Sequence, residues 1–460
     1  MMKFKWFFVV AVLALGVSVW YNYNRFDADR IVDNSILKER TFSGKVEEIS
    51  AFNGKVKAYL MEDHSLPIVA VSFGFDKAGD SYVAKNGVSL LVESTILDGA
   101  GRFSRHEMRD FMKEHGIKLG IDIDNDRAGF SFSFIKNKEK EAIELLKAVL
   151  YEPKFGKEDL DVAREQLNVY RAQREESPQY LLSKLIREKF YGAHPYGRDD
   201  LATVEDLQKI SRADLLEYMR SFWGKNNIVI GISGDISGKE AVLFIEEVFA
   251  GLDDEVVLAD LPEFVSDFEY KKDVRSNENS AQSFALIMSS GIERLNKDFY
   301  PLYIANHVLG GSGLSSRLSK VVREDNGLTY GIYSYFSSSD VGDFWGLGFS
   351  ATPDNVDKIY ELTASAYDDF YNNGITEDEL ELAKDNLLAS FNLRFSSLFD
   401  IASQLEIMQV EGLGKDFFAK RQGFVREVKL DDVNNAIKKY MPKKLVSGGN
   451  IRVFEISGKK

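Results

Sequence analysis

Residues 96–105 read ILDGAGRFSR, and residues 308–317 read VLGGSGLSSR. Two further pairs of segments match in the same order: EDLDVAREQL (158–167) with DELELAKDNL (378–387), and ISRADLLEYMRSFW (210–223) with VKLDDVNNAIKKYM (428–441). The three offsets are 212, 220 and 218 residues. A nearly constant offset over three separated segments indicates a duplicated unit of roughly 200 residues.

Each copy of the unit shows strand patterns that are followed by helix patterns. In AGFSFSFI (128–135), phenylalanine alternates with small residues, which predicts a strand with one buried face. The IDIDND before it predicts a partner strand and a turn. The second copy repeats the plan, with a strand at 344–350, a helix at 356–371, and a capping box formed by Thr376 and Glu379 at the next helix.

These patterns predict an α+β fold made of two homologous domains. Each domain is expected to be a mostly antiparallel sheet covered by helices, and the two together should enclose a groove or chamber. The predicted divisions are a first domain at 45–254, an acidic linker at 255–272 that contains Pro262, and a second domain at 273–460.

The N-terminus predicts export. Lys3 and Lys5 precede an apolar run over residues 6–20, which is the pattern of a secretory signal peptide. About 15 apolar residues are few for a spanning helix, although an uncleaved anchor stays open as an alternative. Residues 21–44 then form a lead-in, and the remainder is expected in the periplasm, or anchored to the membrane and facing it, if the source is bacterial.

Composition excludes several classes of function. The formal charge of −14 argues against a nucleic-acid partner, because such proteins normally carry a basic face. The chain has no cysteine, which rules out disulfides, cysteine zinc sites, iron–sulfur clusters and thiol catalysis.

The repeated motifs resemble the pitrilysin/insulinase family of zinc peptidases, and especially the two-subunit branch that includes mitochondrial processing peptidase. The resemblance covers about residues 45–455. Besides the duplication, three phrases carry it: YGAHPYGRDD (191–200), GDIS (234–237) and LGGSGLSSRLSKVVREDNGLTYGIYSYF (309–336).

The family resemblance implies an inverted zinc motif, H-x-x-E-H, within KNGVSLLVESTILDGAG (85–101). There the two histidine positions fall on Leu90 and Ser94, and the glutamate that would activate the zinc-bound water falls on Glu93. The third ligand position falls on Tyr170, or on Arg171 if the alignment shifts by one residue. Leucine has no lone pair to donate and a neutral serine hydroxyl is a poor zinc ligand, so no metal is expected in this chain and Glu93 is interpreted as a vestige.

The five histidines do not replace the lost ligands, since no two of them are spaced i, i+3 or i+4 in the sequence. They are His64, His106, His115, His194 and His307. His194, within the phrase HPYGR, is interpreted as structural.

The resemblance also implies a substrate-binding arginine and tyrosine, seven residues apart, in the second half. Arg323 and Tyr330 keep that spacing, with Asn326-Gly327 as a turn between a helix that carries Arg323 and a strand that carries Tyr330. Both side chains can bond a peptide carbonyl or its developing oxyanion. The alternative interpretation is that Arg323 makes a surface ion pair and Tyr330 packs in a sheet.

Three hypotheses follow. The leading one is a zinc-free, substrate-binding subunit of an exported heteromeric peptidase, whose zinc-bearing sister chain hydrolyses peptides or unfolded segments with the help of Arg323 and Tyr330. The second is a non-proteolytic structural subunit of a membrane-associated complex. The third is an enzyme with other chemistry, in which Glu93 and a second carboxylate perform acid–base work.

Overall fold

The computed structural model describes residues 45–446, 448 and 450–459. The signal or anchor expected at 1–20 and the lead-in at 21–44 lie outside these residues. The described chain consists of two α+β halves, each built on one large sheet. No helix within the described ranges is long and apolar enough to cross a membrane.

The first half contains the following elements. Its strands are β1 (Glu47–Ala51), β2 (Val56–Glu62), β3 (Ile68–Asp76), β4 (Gly99–Ala100), β5 (Phe103–Ser104), β6 (Lys118–Ile123), β7 (Arg127–Ile135) and β8 (Ile228–Gly234). Its helices are α1 (Val88–Thr95), α2 (Arg105–His115), α3 (Glu139–Tyr151), α4 (Lys157–Glu175), α5 (Pro178–Ile186), α6 (Val204–Lys209), α7 (Arg212–Phe222) and α8 (Gly238–Phe249).

The second half repeats this arrangement. Its strands are β9 (Lys271–Ser276), β10 (Ser283–Ser290), β11 (Gly331–Ser337), β12 (Phe344–Ala351) and β13 (Arg452–Ser457). Its helices are α9 (Phe299–Asn306), α10 (Arg317–Ser319), α11 (Val356–Asn373), α12 (Glu377–Leu393), α13 (Leu398–Val410), α14 (Phe417–Arg426) and α15 (Leu430–Tyr440). Single π-helical turns occur at Arg187–Tyr191, His307–Gly311 and Lys320–Glu324.

The two large sheets have the same topology except that the first has an additional edge strand, β1. The first has the order β1-β2-β8-β3-β7-β6 and the second β11-β12-β10-β13-β9. All neighbouring strands are antiparallel except one pair in each sheet, β2 with β8 and β9 with β13. The mostly antiparallel α+β fold with two homologous halves is therefore confirmed.

Local signals in the sequence also have structural counterparts. The duplicated glycine-rich segments lead into α2 and α10, which are capped by the hydroxyls of Ser104 and Ser316. Thr376 and Glu379 form the expected capping box of α12. The segment between α8 and β9 contains neither helix nor strand, and β9 begins at Lys271, within the last two residues of the linker predicted at 255–272.

One face of each sheet is covered by helices of the same half. In the first half, Val71, Phe73 and Ile230 belong to a core shared with α1, α3, α7 and α8. In the second half, Ile287 and Leu347 belong to a core shared with α9, α11, α12 and α15. Phe130, Phe132 and Phe134 point into the first of these cores, as their alternation predicted.

The opposite face of each sheet is covered by a helix from the other half. Helix α13 of the second half lies on β2, β3 and β8, where Leu405 and Met408 pack on Tyr59. Helix α5 of the first half lies on β10 and β13, where Leu185 packs among Met288 and Phe454. The sequence patterns predicted helices on one face of each sheet and did not predict that a helix of the other half covers the second face. This exchange of α5 and α13 joins the two halves.

Candidate functional site

Helix α1 carries the positions of the lost zinc motif. Gly87 starts it with a φ of 93°, and a Cβ there would lie within 3 Å of the side chains of Ala202 and Leu207. Leu90 is partly buried against the first core, whereas Ser94 is exposed and its hydroxyl donates to the Leu90 carbonyl at 2.7 Å. Both side chains are thus used within the helix or its packing.

Tyr170 lies on α4, which packs against α1, so the helices that would carry the three ligands remain together. The Tyr170 hydroxyl accepts a hydrogen bond from Arg174 at 3.1 Å, and burial raises the pKa of this phenol. Arg171, the other possible position, is paired with Asp199 at 2.9 Å and also donates to the Ala202 carbonyl. Neither residue offers an anionic ligand.

Glu93 lies in an acidic environment, and the charged groups of the described residues that act on its carboxyl are Asp122 and Asp124. Burial, followed by the charge of Asp122, raises the pKa of the Glu93 carboxyl to about 8, although the backbone N–H of Ile123 donates to it. At neutral pH the carboxyl is therefore mainly protonated. A protonated carboxyl is neither an attractive metal neighbour nor a ready general base.

The charges of Asp122 and Asp124 both raise the pKa of Glu93. Burial in turn raises the pKa of each of these two aspartates. Asp124 is used in the turn after β6, where it accepts from the backbone N–H groups of Asp126 and Arg127 at 2.8 Å each. Asp122 and Glu93 are left as the two carboxyls for the acid–base hypothesis. Sequence reasoning treated IDIDND only as a strand and turn and missed this environment.

The residues at the degenerate motif do not fit a zinc ion. Leu90 has no donor atom, the Ser94 hydroxyl is bonded to its own helix, and the Tyr170 phenol is neutral and bonded to Arg174. Within the described residues, no three His, Cys, Asp or Glu side chains are grouped so that they could hold a metal.

The histidines are dispersed. His194 caps a short turn by accepting from the backbone N–H of Tyr196 at 3.2 Å, which is a structural role. His64 bridges Asp235 and Glu62 on the surface, and His307 is buried, which lowers its pKa to about 4. His106 lies beside Asp110 and His115 beside Glu141.

Arg323 and Tyr330 lie at the start of β11 in the second half. Arg323 is on the π-helical turn Lys320–Glu324, and Tyr330 comes directly before the strand. The prediction that the strand carries Tyr330 is wrong by one residue, since the Thr329 hydroxyl accepts from the Gly331 N–H at 3.0 Å and the ladder begins only at Gly331.

The alternative interpretation, a surface ion pair for Arg323 and packing in the sheet for Tyr330, does not describe either side chain. Tyr330 is 85% exposed and does not pack in the sheet. Among the hydrogen bonds and ion pairs of residues 45–459 that the structure describes, none involves the Arg323 guanidinium or the Tyr330 hydroxyl. Five guanidinium donors and one phenol donor are thus available to a ligand.

The backbone that carries the pair is firmly held. Gly327 makes the turn with a φ of 63°, and its N–H donates to the Arg323 carbonyl at 2.9 Å. The Thr329 hydroxyl lies 2.9 Å from the Gly331 carbonyl oxygen and 2.5 Å from that of Ser350. These hydrogen bonds hold the backbone that carries the two side chains in place.

The far end of the same hairpin contacts the first half. Asp340, in the turn between β11 and β12, accepts from the Tyr82 hydroxyl and donates its N–H to the Asp126 carboxyl. Burial, with the Asp340 charge, raises the pKa of Asp126 to about 7. Strand β11 therefore separates Tyr330 from this contact by about 23 Å, at roughly 3.3 Å per residue. No described hydrogen bond or ion pair joins Arg323 or Tyr330 to α1.

Comparison with known proteins places both halves in one family. Residues 77–203 match the insulinase family (peptidase family M16), and residues 209–387 match the peptidase M16 inactive domain. The non-peptidase homolog YmxG of Helicobacter pylori is 24% identical over 387 residues, which cover 84% of this chain and 89% of that protein. The probable mitochondrial-processing peptidase subunit beta of Schizosaccharomyces pombe is 23% identical over 383 residues, which cover 78% of this chain and 81% of that protein.

A solved structure supports the same fold. The crystal structure of a peptidase M16 inactive domain from Pseudomonas fluorescens superposes with a TM-score of 0.81 at 23% identity, covering 90% of this chain and 98% of that one. Since the two matched segments together span residues 77–203 and 209–387, the chain belongs to the insulinase (M16) family of peptidases.

Proposed function

We propose that this chain is the zinc-free, substrate-binding subunit of a heteromeric zinc peptidase. In this proposal Arg323 and Tyr330 bind the substrate backbone at the H-x-x-E-H site of a sister subunit. The observation that carries the proposal is the contrast between the two sites. The metal positions are filled by side chains with local roles, whereas Arg323 and Tyr330 have no described partner and stand on a rigid loop.

The chemistry of the pair suits a peptide carbonyl. The Arg323 guanidinium is permanently charged, and its planar donors can bond a carbonyl oxygen and stabilise the negative charge that develops there during hydrolysis. The Tyr330 hydroxyl adds a neutral donor on a stiff stem. The hydrogen bonds of Thr329 and Gly327 hold the backbone between the two donors in place, so that both side chains start from a defined position.

The distance within this chain supports action on a partner. Tyr330 lies at one end of β11, and the contact between Asp340 and the first half lies at the other, about 23 Å away by strand rise. The Asp124 charge acts both on Asp126, at that contact, and on Glu93, so the contact and Glu93 lie in the same region of the first half. In this proposal the zinc site that Arg323 and Tyr330 serve is therefore supplied by a second chain.

The family context is consistent with a sister subunit. One relative is named a non-peptidase homolog and another a subunit of a processing peptidase. Zinc is expected in the partner, and the substrates are expected to be peptides or unfolded polypeptides that can reach both chains. Export, to the periplasm or to a membrane anchor through residues 6–20, remains part of the proposal.

The experiment is reconstitution with the family member of the same genome that has an intact H-x-x-E-H motif. Each chain alone and the pair are assayed for bound zinc and for cleavage of a fluorescence-quenched unstructured peptide. We expect zinc in the partner only and cleavage by the pair. Arg323→Ala should lower kcat by roughly 10²–10³-fold, and Tyr330→Phe by about tenfold or more, with zinc content unchanged.

Matched controls are Arg220→Ala and Tyr270→Phe, which remove an exposed guanidinium and an exposed phenol elsewhere. Zinc-dependent cleavage by this chain alone would reject the proposal. If the pair assembles but neither Arg323→Ala nor Tyr330→Phe changes turnover, the chain is a non-proteolytic structural subunit, the function that the name of the H. pylori relative favours.

A further inference from the structure

Gly331, the residue after Tyr330, has no explanation within the chain. Its φ is not in the left-handed region, and a Cβ built on it would meet no heavy atom within 4 Å. Every other glycine in the described ranges either has a positive φ or has a neighbour within 4 Å of that position. Neither backbone conformation nor packing requires glycine at 331.

Glycine at this position has a cost. In a strand it loses more conformational entropy on folding than other residues and offers no side chain to pack. A β-branched residue at the same φ and ψ would favour the strand. A glycine that its own chain does not need is best explained by the close approach of a group from outside the chain.

The neighbouring glycines show the contrast. Gly331, Tyr333 and Tyr335 share one face of β11, and the two tyrosine rings lie over Gly348 and Gly346 of β12. A Cβ at 348 would lie 3.2 Å from the Tyr333 hydroxyl, and one at 346 would lie 2.8 Å from the Tyr335 ring. These glycines make room for rings of the same chain. Gly331 continues the row and has no ring above it.

The open position lies beside the two available donors. Gly331 follows the exposed Tyr330 directly, and the turn that carries Arg323 contacts the same strand. The partner of Gly331 across the ladder on β12 is Ser350, whose small side chain covers little of the sheet at this point.

We propose that the bare backbone at Gly331 is a contact surface for an extended polypeptide that Arg323 and Tyr330 hold, and that any side chain at 331 would obstruct this polypeptide. The inference rests on the function proposed above and adds a position that sets how closely the bound chain approaches.

The test is a size series in the full-length protein: Gly331→Ala, Gly331→Val and Gly331→Leu. The probe is fluorescein-labelled β-casein, an unfolded polypeptide, and binding is followed by fluorescence anisotropy. We expect affinity to fall progressively, by about tenfold or more at valine, the size of effect that overpacking produces. The melting temperature should stay the same or rise by about 1 °C, because these residues restrict the unfolded chain.

Gly423→Ala is the matched control, since a Cβ there meets only Glu427 at an ordinary 3.6 Å, and it should leave the affinity for casein unchanged. If Arg323→Ala and Tyr330→Phe weaken binding while Gly331→Val binds like the wild type, the inference fails and the proposed function stands. If none of these variants differs from the wild type, or the wild type does not bind casein, the inference fails, and the proposed function is then decided by the turnover of Arg323→Ala and Tyr330→Phe in the reconstituted pair. A large drop in melting temperature for Gly331→Val would also overturn the inference, because the fold itself would then require glycine.

Discussion

The Arg127 guanidinium and the Glu406 carboxylate, 279 positions apart in the sequence, form an ion pair of 2.5 Å across the junction of the two halves. Arg127 begins β7 of the first sheet, and Glu406 lies on α13 from the second half. The side chains are only 17% and 8% exposed. The Ser72 hydroxyl donates to the same carboxylate, so the exchanged helix is tied to the sheet that it covers.

Glu406→Ala is expected to destabilise the protein by about 3–5 kcal/mol, because it leaves the buried Arg127 guanidinium with only the more distant Asp76, at 3.8 Å, as an ion-pair partner. The double variant Arg127→Met with Glu406→Leu should recover much of this loss, since a buried ion pair is often no better than well-packed apolar residues. The measurement is the midpoint of urea unfolding. Glu381→Ala, which removes an exposed carboxylate paired with Lys384, is the control and should change stability by about 0.5 kcal/mol or less. Equal midpoints for Glu406→Ala and Glu381→Ala would show that the Arg127–Glu406 ion pair does not stabilise the junction of the two halves.

Helix α13 approaches the first sheet closely at Gly231. A Cβ at 231 would overlap the Ala402 carbonyl oxygen and lie 2.7 Å from the Glu406 backbone nitrogen. Because backbone atoms cannot move aside as side chains do, Gly231→Ala should displace α13 and cost about 1–3 kcal/mol or more.

Gly129→Ala is the comparison for Gly231→Ala. Gly129 also lies in the first sheet, but a Cβ there meets only the Asp122 carbonyl oxygen at 3.5 Å. We expect little change in its urea midpoint, and limited proteolysis between the halves should accelerate only in Gly231→Ala. Similar behaviour of both variants would show that α13 is not seated on Gly231.

The duplication was predictable because the two halves repeat ion pairs as well as sequence motifs. Arg105 pairs with Asp159 at 3.0 Å in the first half, and Arg317 pairs with Glu379 at 2.6 Å in the second. The offsets seen in the sequence thus align two equivalent ion pairs. Topology, capping and strand alternation depend on such local or repeated signals, which one chain is enough to display.

The exchange of α5 and α13 was not predictable in the same way. Periodicity shows that a helix has an apolar face but not which sheet receives it. Glu406 and Arg127 carry no motif, and their pairing depends on tertiary structure alone. For the candidate site, sequence spacing identified Arg323 and Tyr330. The absence of described partners for their side chains and the open space over Gly331 depend on tertiary structure and could not be predicted.

The stability of the protein should depend on the titration of Glu93. Its ordinary pKa is 4.5, and burial raises the folded-state pKa to about 8. A raised pKa means that the folded state favours the protonated carboxyl. The stability from this group is fully present below pH 4.5 and is lost as pH rises through about 8.

Glu93→Gln replaces the carboxyl with a neutral group and should remove this dependence. Urea unfolding at pH 5, 7 and 9 is expected to show similar stability for both proteins at about pH 5. By pH 9 the variant should be more stable by roughly 1–4 kcal/mol. Parallel pH curves for wild type and Glu93→Gln would show that Glu93 is not buried as described.

The packing of α1 against α4 should still support the metal site that the sequence has lost. The variant Leu90→His, Ser94→His, Tyr170→Glu restores two histidines at i and i+4 around Glu93, with a carboxylate from the adjacent helix. We expect it to bind about one zinc ion per chain by metal analysis, while the wild type binds none.

The companion variant with Arg171→Glu in place of Tyr170→Glu tests the register of the third ligand. Arg171 holds Asp199 and the Ala202 carbonyl, so its replacement breaks those bonds and brings another carboxylate towards Asp199. This variant should be less stable and bind zinc more weakly than the first. Equal zinc occupancy in the two would mean that α4 is not fixed in register against α1, and tighter binding with Arg171→Glu would assign the lost ligand position to residue 171.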